Sequence, residues 1–202
     1  MPGASDALDS RARTVLDAWF GAPESSEFGH ARKIWFKKNA AFDAMLHKRF
    51  GGLLEEALAG ELASWSASPL GALALIVLLD QFTRNCFRGT PRAFAGDIQA
   101  LKLARTLVDT RGELTLPTIH HREFVYLPFE HDETLESQRE AVRLQKALFD
   151  ETGDKDVEAN LKYAFRHAEV IERFGRFPHR NVILGRETTA EERAWLAKKG
   201  GF

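Results

Sequence analysis

Apolar residues recur at spacings of three and four along almost the whole chain, and this periodicity constrains the fold more than any other feature. Leu8, Ala12, Val15 and Trp19 fall on one face of a 3.6-residue turn, as do Phe42, Met45, Leu46, Phe50, Leu53, Leu54 and Ala57. No segment alternates apolar and polar residues strictly enough to predict a strand, so no sheet is expected.

Local stop and start signals divide the pattern. Ser68-Pro69 predicts an N-cap and first-turn proline for a helix running to about Phe82, and Thr90-Pro91 predicts the same for one running to about Thr110, ended by Gly112. A short helix is expected after Pro117, reaching Tyr126 before Pro128 kinks or stops it and leaves an irregular segment. Leu135, Val142, Leu148 and Phe149 carry the next helix, closed by Gly153, and Leu161, Ala164, Ala168 and Ile171 carry another, closed by Gly175. Thr189-Ala190-Glu191-Glu192 reads as a capping box for a last helix containing Trp195 and Leu196 and finishing on Lys198-Lys199. The expectation is all-α: about eight helices in antiparallel pairs joined by short loops. No Trp, Gly and Tyr positions recur at a 34-residue period, so any tetratricopeptide-like repeat is structural and degenerate.

Length and composition add bounds. At 202 residues and 44% hydrophobic, with no linker or low-complexity tract, residues 1–202 are expected to form one helical domain. The 28 basic and 29 acidic side chains leave a formal charge of -1, so no global field attracts nucleic acid or an acidic membrane, and any anion site must be local. The lone Cys86 fits a reducing compartment, and the opening Met1-Pro2-Gly3-Ala4-Ser5-Asp6 has no basic-then-apolar signal pattern, so a cytoplasmic location is expected. Leu70 to Leu79, the most apolar stretch, is about half the roughly 20 residues needed to span a bilayer, and predicts a buried core helix.

Three clusters resist explanation as core. Phe174-Gly175-Arg176-Phe177-Pro178-His179-Arg180-Asn181 packs two arginines, a histidine and an asparagine around aromatics. The helix before it places Asn160 and His167 on the arc of Ala164, Ala168 and Ile171, so two polar groups face inward. From Arg166 to Arg186 every basic group but the histidines is arginine, whose planar fork suits phosphate and carboxylate, although arginine outnumbers lysine 18 to 10 throughout. Asp80-Gln81-Phe82-Thr83-Arg84-Asn85 forms the second cluster, read either as internal i,i+4 pairs or as a pocket wall. The third runs from Arg122 through Tyr126 and Pro128 to His131, Asp132 and Glu133. There His131 is a general acid or base oriented by a neighbouring carboxylate, or the acids are charges at a helix start, the reading preferred for Asp132.

Other chemistries lack their signatures. His131, Glu133, His167 and His179 come from separate segments without metal-ligand spacing, so no metal is expected. Cys86 has no adjacent histidine, and neither a Gly-x-Ser-x-Gly elbow nor a glycine-rich phosphate loop is present; nothing calls for a cofactor.

These same clusters resemble the bacterial domain of unknown function 924 family. The matching blocks are Leu79-Asp80-Gln81-Phe82, Arg84-Asn85 and Arg88-Gly89-Thr90; Tyr126-Leu127-Pro128-Phe129 with His131; and Arg173 to Asn181 with Leu184-Gly185-Arg186. The resemblance extends from about Trp19 to Trp195. This chain departs at Thr83, where proline is usual, and at Glu130 and Asp132, in place of methionine and serine, which makes the pocket mouth more negative. The resemblance implies a tetratricopeptide-like, right-handed α-α superhelix, and no substrate.

The expected function is binding of a small anionic ligand. Asp80, Gln81, Arg84, Asn85, Tyr126, His131, Asn160, His167, Arg176, His179, Arg180 and Asn181 are the candidate contacts. His131, His167, His179 and Glu133 are the candidates for proton transfer should the protein be an enzyme. The alternatives are a helical-repeat adaptor that holds a peptide or protein partner through the same groups, and an RNA-binding protein, which the charge of -1 disfavours.

Overall fold

The computed structural model describes residues 8–35 and 37–199 and is all-α, with no strand among the described residues. The opening Met1–Asp6, read above for an export signal, lies outside them. The chain divides into two compact units, one of residues 8–88 and 92–128, the other of 89–91 and 129–199.

In the first unit, α1 (Ser10–Phe20) starts on the Asp9 carboxylate and α2 (Ala40–Leu58) on the Asn39 side chain, each accepting free first-turn N–H groups. The Ser68 hydroxyl caps α3 (Pro69–Ile76), as its position before Pro69 predicts. The expected stop near Phe82 is not observed. A π-helical stretch, Val77–Phe82, leads straight into α4 (Thr83–Cys86). Side chains brace the wider turn: the Thr83 hydroxyl donates to the Leu79 carbonyl at 2.7 Å and Arg84 to the Asp80 carbonyl at 2.7 Å.

Thr90-Pro91 opens only a 3-10 turn, Pro91–Phe94, and the helix proper, α5 (Asp97–Asp109), begins after Gly96. A Cβ on Gly96 would overlap the Leu79 carbonyl, so this close approach requires glycine. Gly112 is not the terminator expected: Arg111 takes the left-handed conformation (φ 57), and Gly112 starts a further 3-10 turn. Nor does Pro128 break its helix. α6 (Ile119–His131) runs through it, so residues 126–131 are helical rather than irregular. The core of this unit is aromatic, with Trp19 5.6 Å from both Phe82 and Phe124.

The second unit is built on α7 (Leu135–Thr152) and α8 (Lys155–Phe174), joined by Gly153 and Asp154 alone and therefore antiparallel. Thr134 caps α7, Asp154 caps α8, and Gly153 and Gly175 end them with φ of 61° and 67°. Gly175 turns the chain into a 3-10 turn, Pro178–Arg180, and α9 (Ala190–Lys199) closes the unit. Phe177 is fully buried against Val170 and Ile171, while Phe174 meets Trp195 at 5.8 Å. Both phenylalanines thus anchor the turn. No helix among the described residues is long and apolar enough to cross a membrane.

Candidate functional site: a histidine and arginine cluster in the second unit

The site grows from the end of α8. Its last two turns carry His167, and the Gly175 reversal brings Phe177, His179 and Arg180 back beside it. The Phe177 ring is the hub: His167 lies 5.5 Å away edge-on, His179 5.7 Å away, and the Arg180 guanidinium 4.6 Å over the face. His131, the last residue of α6, reaches the group at 6.5 Å from the His167 ring.

Two hydrogen-bonded anchors fix the turn. Glu133, in the loop before α7, accepts the Phe177 N–H at 2.7 Å and holds Arg186 through two bonds of 2.6 and 3.0 Å. Burial pushes the Glu133 carboxyl up, but Arg186 and the Phe177 N–H outweigh it and hold the group below its ordinary range. On the other side Glu192 takes both forks of Arg176 at 2.7 and 2.9 Å, together with the Asn181 amide at 3.2 Å and the Thr189 N–H at 2.7 Å. The Thr189 hydroxyl accepts the Glu192 N–H in return, so the capping box forms as predicted. The Arg176 guanidinium is the main reason the Glu192 carboxyl falls to about 2.

Electrostatics separate the histidines from ordinary surface rings. Burial lowers His167 to about 3 against a partly opposing hydrogen bond to the Tyr163 carbonyl, with the charges of His131, Arg180 and His179 adding to the fall. Burial also lowers His179 to about 4, helped by Arg180. Both rings are therefore neutral at pH 7. His167 Nδ1 lies 2.9 Å from the Tyr163 carbonyl, which can only accept, so the proton sits on Nδ1 and Nε2 presents a lone pair.

Beneath His167 lie Glu130, noted in the sequence only as an added negative charge, and two amides that sequence reasoning missed. Glu130, only 2% exposed, has Oε2 3.8 Å from His167 Nδ1 and accepts from Gln145 at 3.0 Å. Gln138 donates to the carbonyls of Phe129, Glu130 and Asp132, closing the end of α6. The available signal was two glutamines seven apart on the apolar face of α7, beside Ala141, Leu144 and Leu148. Asp132 accepts from the Thr134 hydroxyl at 2.6 Å and so serves the start of α7, as preferred above. Asn160 lies half-buried two turns before His167 on α8.

The Asp80–Asn85 residues and Tyr126 belong to the first unit. Arg84 bonds both oxygens of Asp97 at 2.8 and 3.0 Å and pairs with buried Asp80 at 3.1 Å, while Gln81 donates to Asp80 at 2.6 Å. Asn85 turns to Asp43 at 2.7 Å. Tyr126 is 2% exposed. No group of three or more His, Cys, Asp or Glu among the described residues is arranged to hold a metal ion.

An all-helical chain whose α8 ends in an aromatic turn ringed by histidine and arginine is the class these features define. The chain belongs to the family described as bacterial protein of unknown function (DUF924), whose model matches residues 15–200. A solved structure of a protein of unknown function, ATU0120 from Agrobacterium tumefaciens, is similar to it with 38% identity and a TM-score of 0.79, covering 93% of this chain and 97% of that one. No curated protein matches the chain.

Proposed function

We propose that the second unit binds a small anionic molecule where His131, His167, His179 and Arg180 gather around Phe177. The observation that supports this best is the buried Arg180 guanidinium beside two imidazoles that are neutral at pH 7. A carboxylate or phosphate docked on Arg180 gains charge-assisted hydrogen bonds, and its own charge raises the neighbouring imidazoles toward protonation, so binding takes up protons. Arg84 and Arg176, the other arginines weighed as anion contacts, have their forks on Asp97 and Glu192. The anion contact in this reading is Arg180, for its place over the Phe177 face beside His167 and His179.

If the ligand is transformed as well as held, His167 is the residue to move its proton, because Nε2 carries the lone pair. Titration calorimetry with inorganic phosphate and short carboxylates tests the reading. Wild type binds at least one, with proton uptake visible as a buffer-dependent heat, and Arg180→Gln weakens that binding about ten- to hundredfold. An Arg180→Gln protein that folds normally and binds unchanged contradicts it.

A further inference from the structure

We infer that residues 22–31 of the first unit form a flap that opens and closes over the His121 imidazole, a device independent of the anion site. α1 ends at Phe20 and α2 begins only at Ala40, a connection far longer than the roughly five residues usual between packed elements, and such long connections commonly serve as lids. Both ends of the flap are fixed. At one, the Gly21 N–H donates to the Asp17 carbonyl and closes α1. At the other, Arg32 donates to the carbonyls of Ala18 and Trp19 at 2.9 and 2.7 Å, and the Trp35 indole donates to the Trp19 carbonyl at 2.8 Å. Between these anchors the N–H groups of Ser25, Phe28 and His30 reach only three residues back, to Ala22, Ser25 and Glu27. An exposed ion pair of Glu27 with Arg32 adds a weak tie. The backbone of the flap is thus bonded to itself rather than to a helix.

What the flap covers is polar. His121 is only 2% exposed, with the Phe28 ring of the flap at 5.5 Å, the Phe20 ring stacked at 4.0 Å, and Nδ1 2.7 Å from the Thr118 hydroxyl. The neighbouring His120 packs instead against Trp35, at the fixed end, 5.4 Å away. Closure is opposed by Ser25, whose Oγ is buried without a partner and regains water when the flap lifts. Closure also depends on a missing side chain. A Cβ on Gly21 would come within 2.7 Å of Ser25 Oγ, 2.9 Å of Glu27 Cβ and 3.1 Å of the Phe28 nitrogen, all three in the flap. The closed form therefore rests on a ring contact and a tight fit, against a stranded hydroxyl. Opening admits water and small reagents to His121 and leaves His120 sealed behind Trp35.

Diethyl pyrocarbonate, which acylates neutral imidazoles, tests this on the full chain at pH 7, with each histidine read separately by fragment-ion mass spectrometry. Burial, helped by the charge of His120, holds His121 at about 4, so its ring is neutral there. Exposed His30 and His47 report the activity of the reagent. Below the urea transition, wild-type His121 is expected to react about tenfold or more faster than His120. Gly21→Ala forces the flap outward and is expected to raise the His121 rate about tenfold. Ser25→Ala removes the stranded hydroxyl and is expected to lower that rate about fivefold, and neither substitution moves the His120 rate. His120 and His121 labelled at one rate that follows global unfolding would overturn the inference, as would a His121 rate that neither substitution changes in folded protein. Should Gly21→Ala fail to fold, wild type and Ser25→Ala decide the matter by themselves.

Discussion

Glu192 holds more of the second unit together than any arginine it faces. It accepts four hydrogen bonds from Arg176, Asn181 and Thr189 while only 2% exposed. Glu192→Ala strands those donors and is expected to lower stability by about 3 kcal/mol, read from the urea midpoint. A loss below about 1 kcal/mol would show that the turn is held elsewhere. Its carboxyl falls from 4.5 to about 2 on folding, so the stabilisation is complete above pH 4.5 and disappears as pH drops toward 2. Composition alone singled out Phe174–Asn181, because no core needs that mixture. It did not show which arginine was engaged, since the partner of Arg176 lies 16 residues away and that of Arg186 53 away.

Elements follow local chemistry where a few neighbouring residues decide and depart from it where distant ones do. The starts at Ser68 and Thr189 and the stops at Gly153 and Gly175 were legible, since each cap bonds within its own turn. The π-helical stretch was not, because what braces it is a later arginine whose fork is clamped by Asp97. α6 likewise runs through Pro128, whose proline rule promised a stop. Two glycines separate the two causes of glycine dependence. Gly175 has φ 67 and no atom near its absent Cβ, so Gly175→Ala costs only left-handed strain, about 1 kcal/mol. Gly96→Ala drives a methyl into the Leu79 backbone and is expected to cost more, about 2 kcal/mol or above. Thermal unfolding of the two variants checks the order, and equal costs would remove the close-approach explanation.

At the scale of the whole molecule, histidines link stability to pH. Unfolded rings titrate near 6.5, whereas His121, His167 and His179 do so at about 4, about 3 and about 4 when folded. Between those values the unfolded chain binds more protons, so stability falls as pH drops from about 6.5 toward 4. His167→Gln and His179→Gln should flatten that slope in urea titrations. A slope unchanged in both would mean that the rings are not buried and neutral. The all-α class was readable from periodicity throughout, but the buried amides around Glu130 were hidden because glutamines on an apolar face carry no motif.

The most direct measurement is native mass spectrometry of the chain purified without denaturation, beside Arg180→Gln prepared identically. The expected result is a small anionic molecule retained by wild type and missing from a folded Arg180→Gln. Retention of the same mass by both proteins would contradict the placement of the ligand at Arg180.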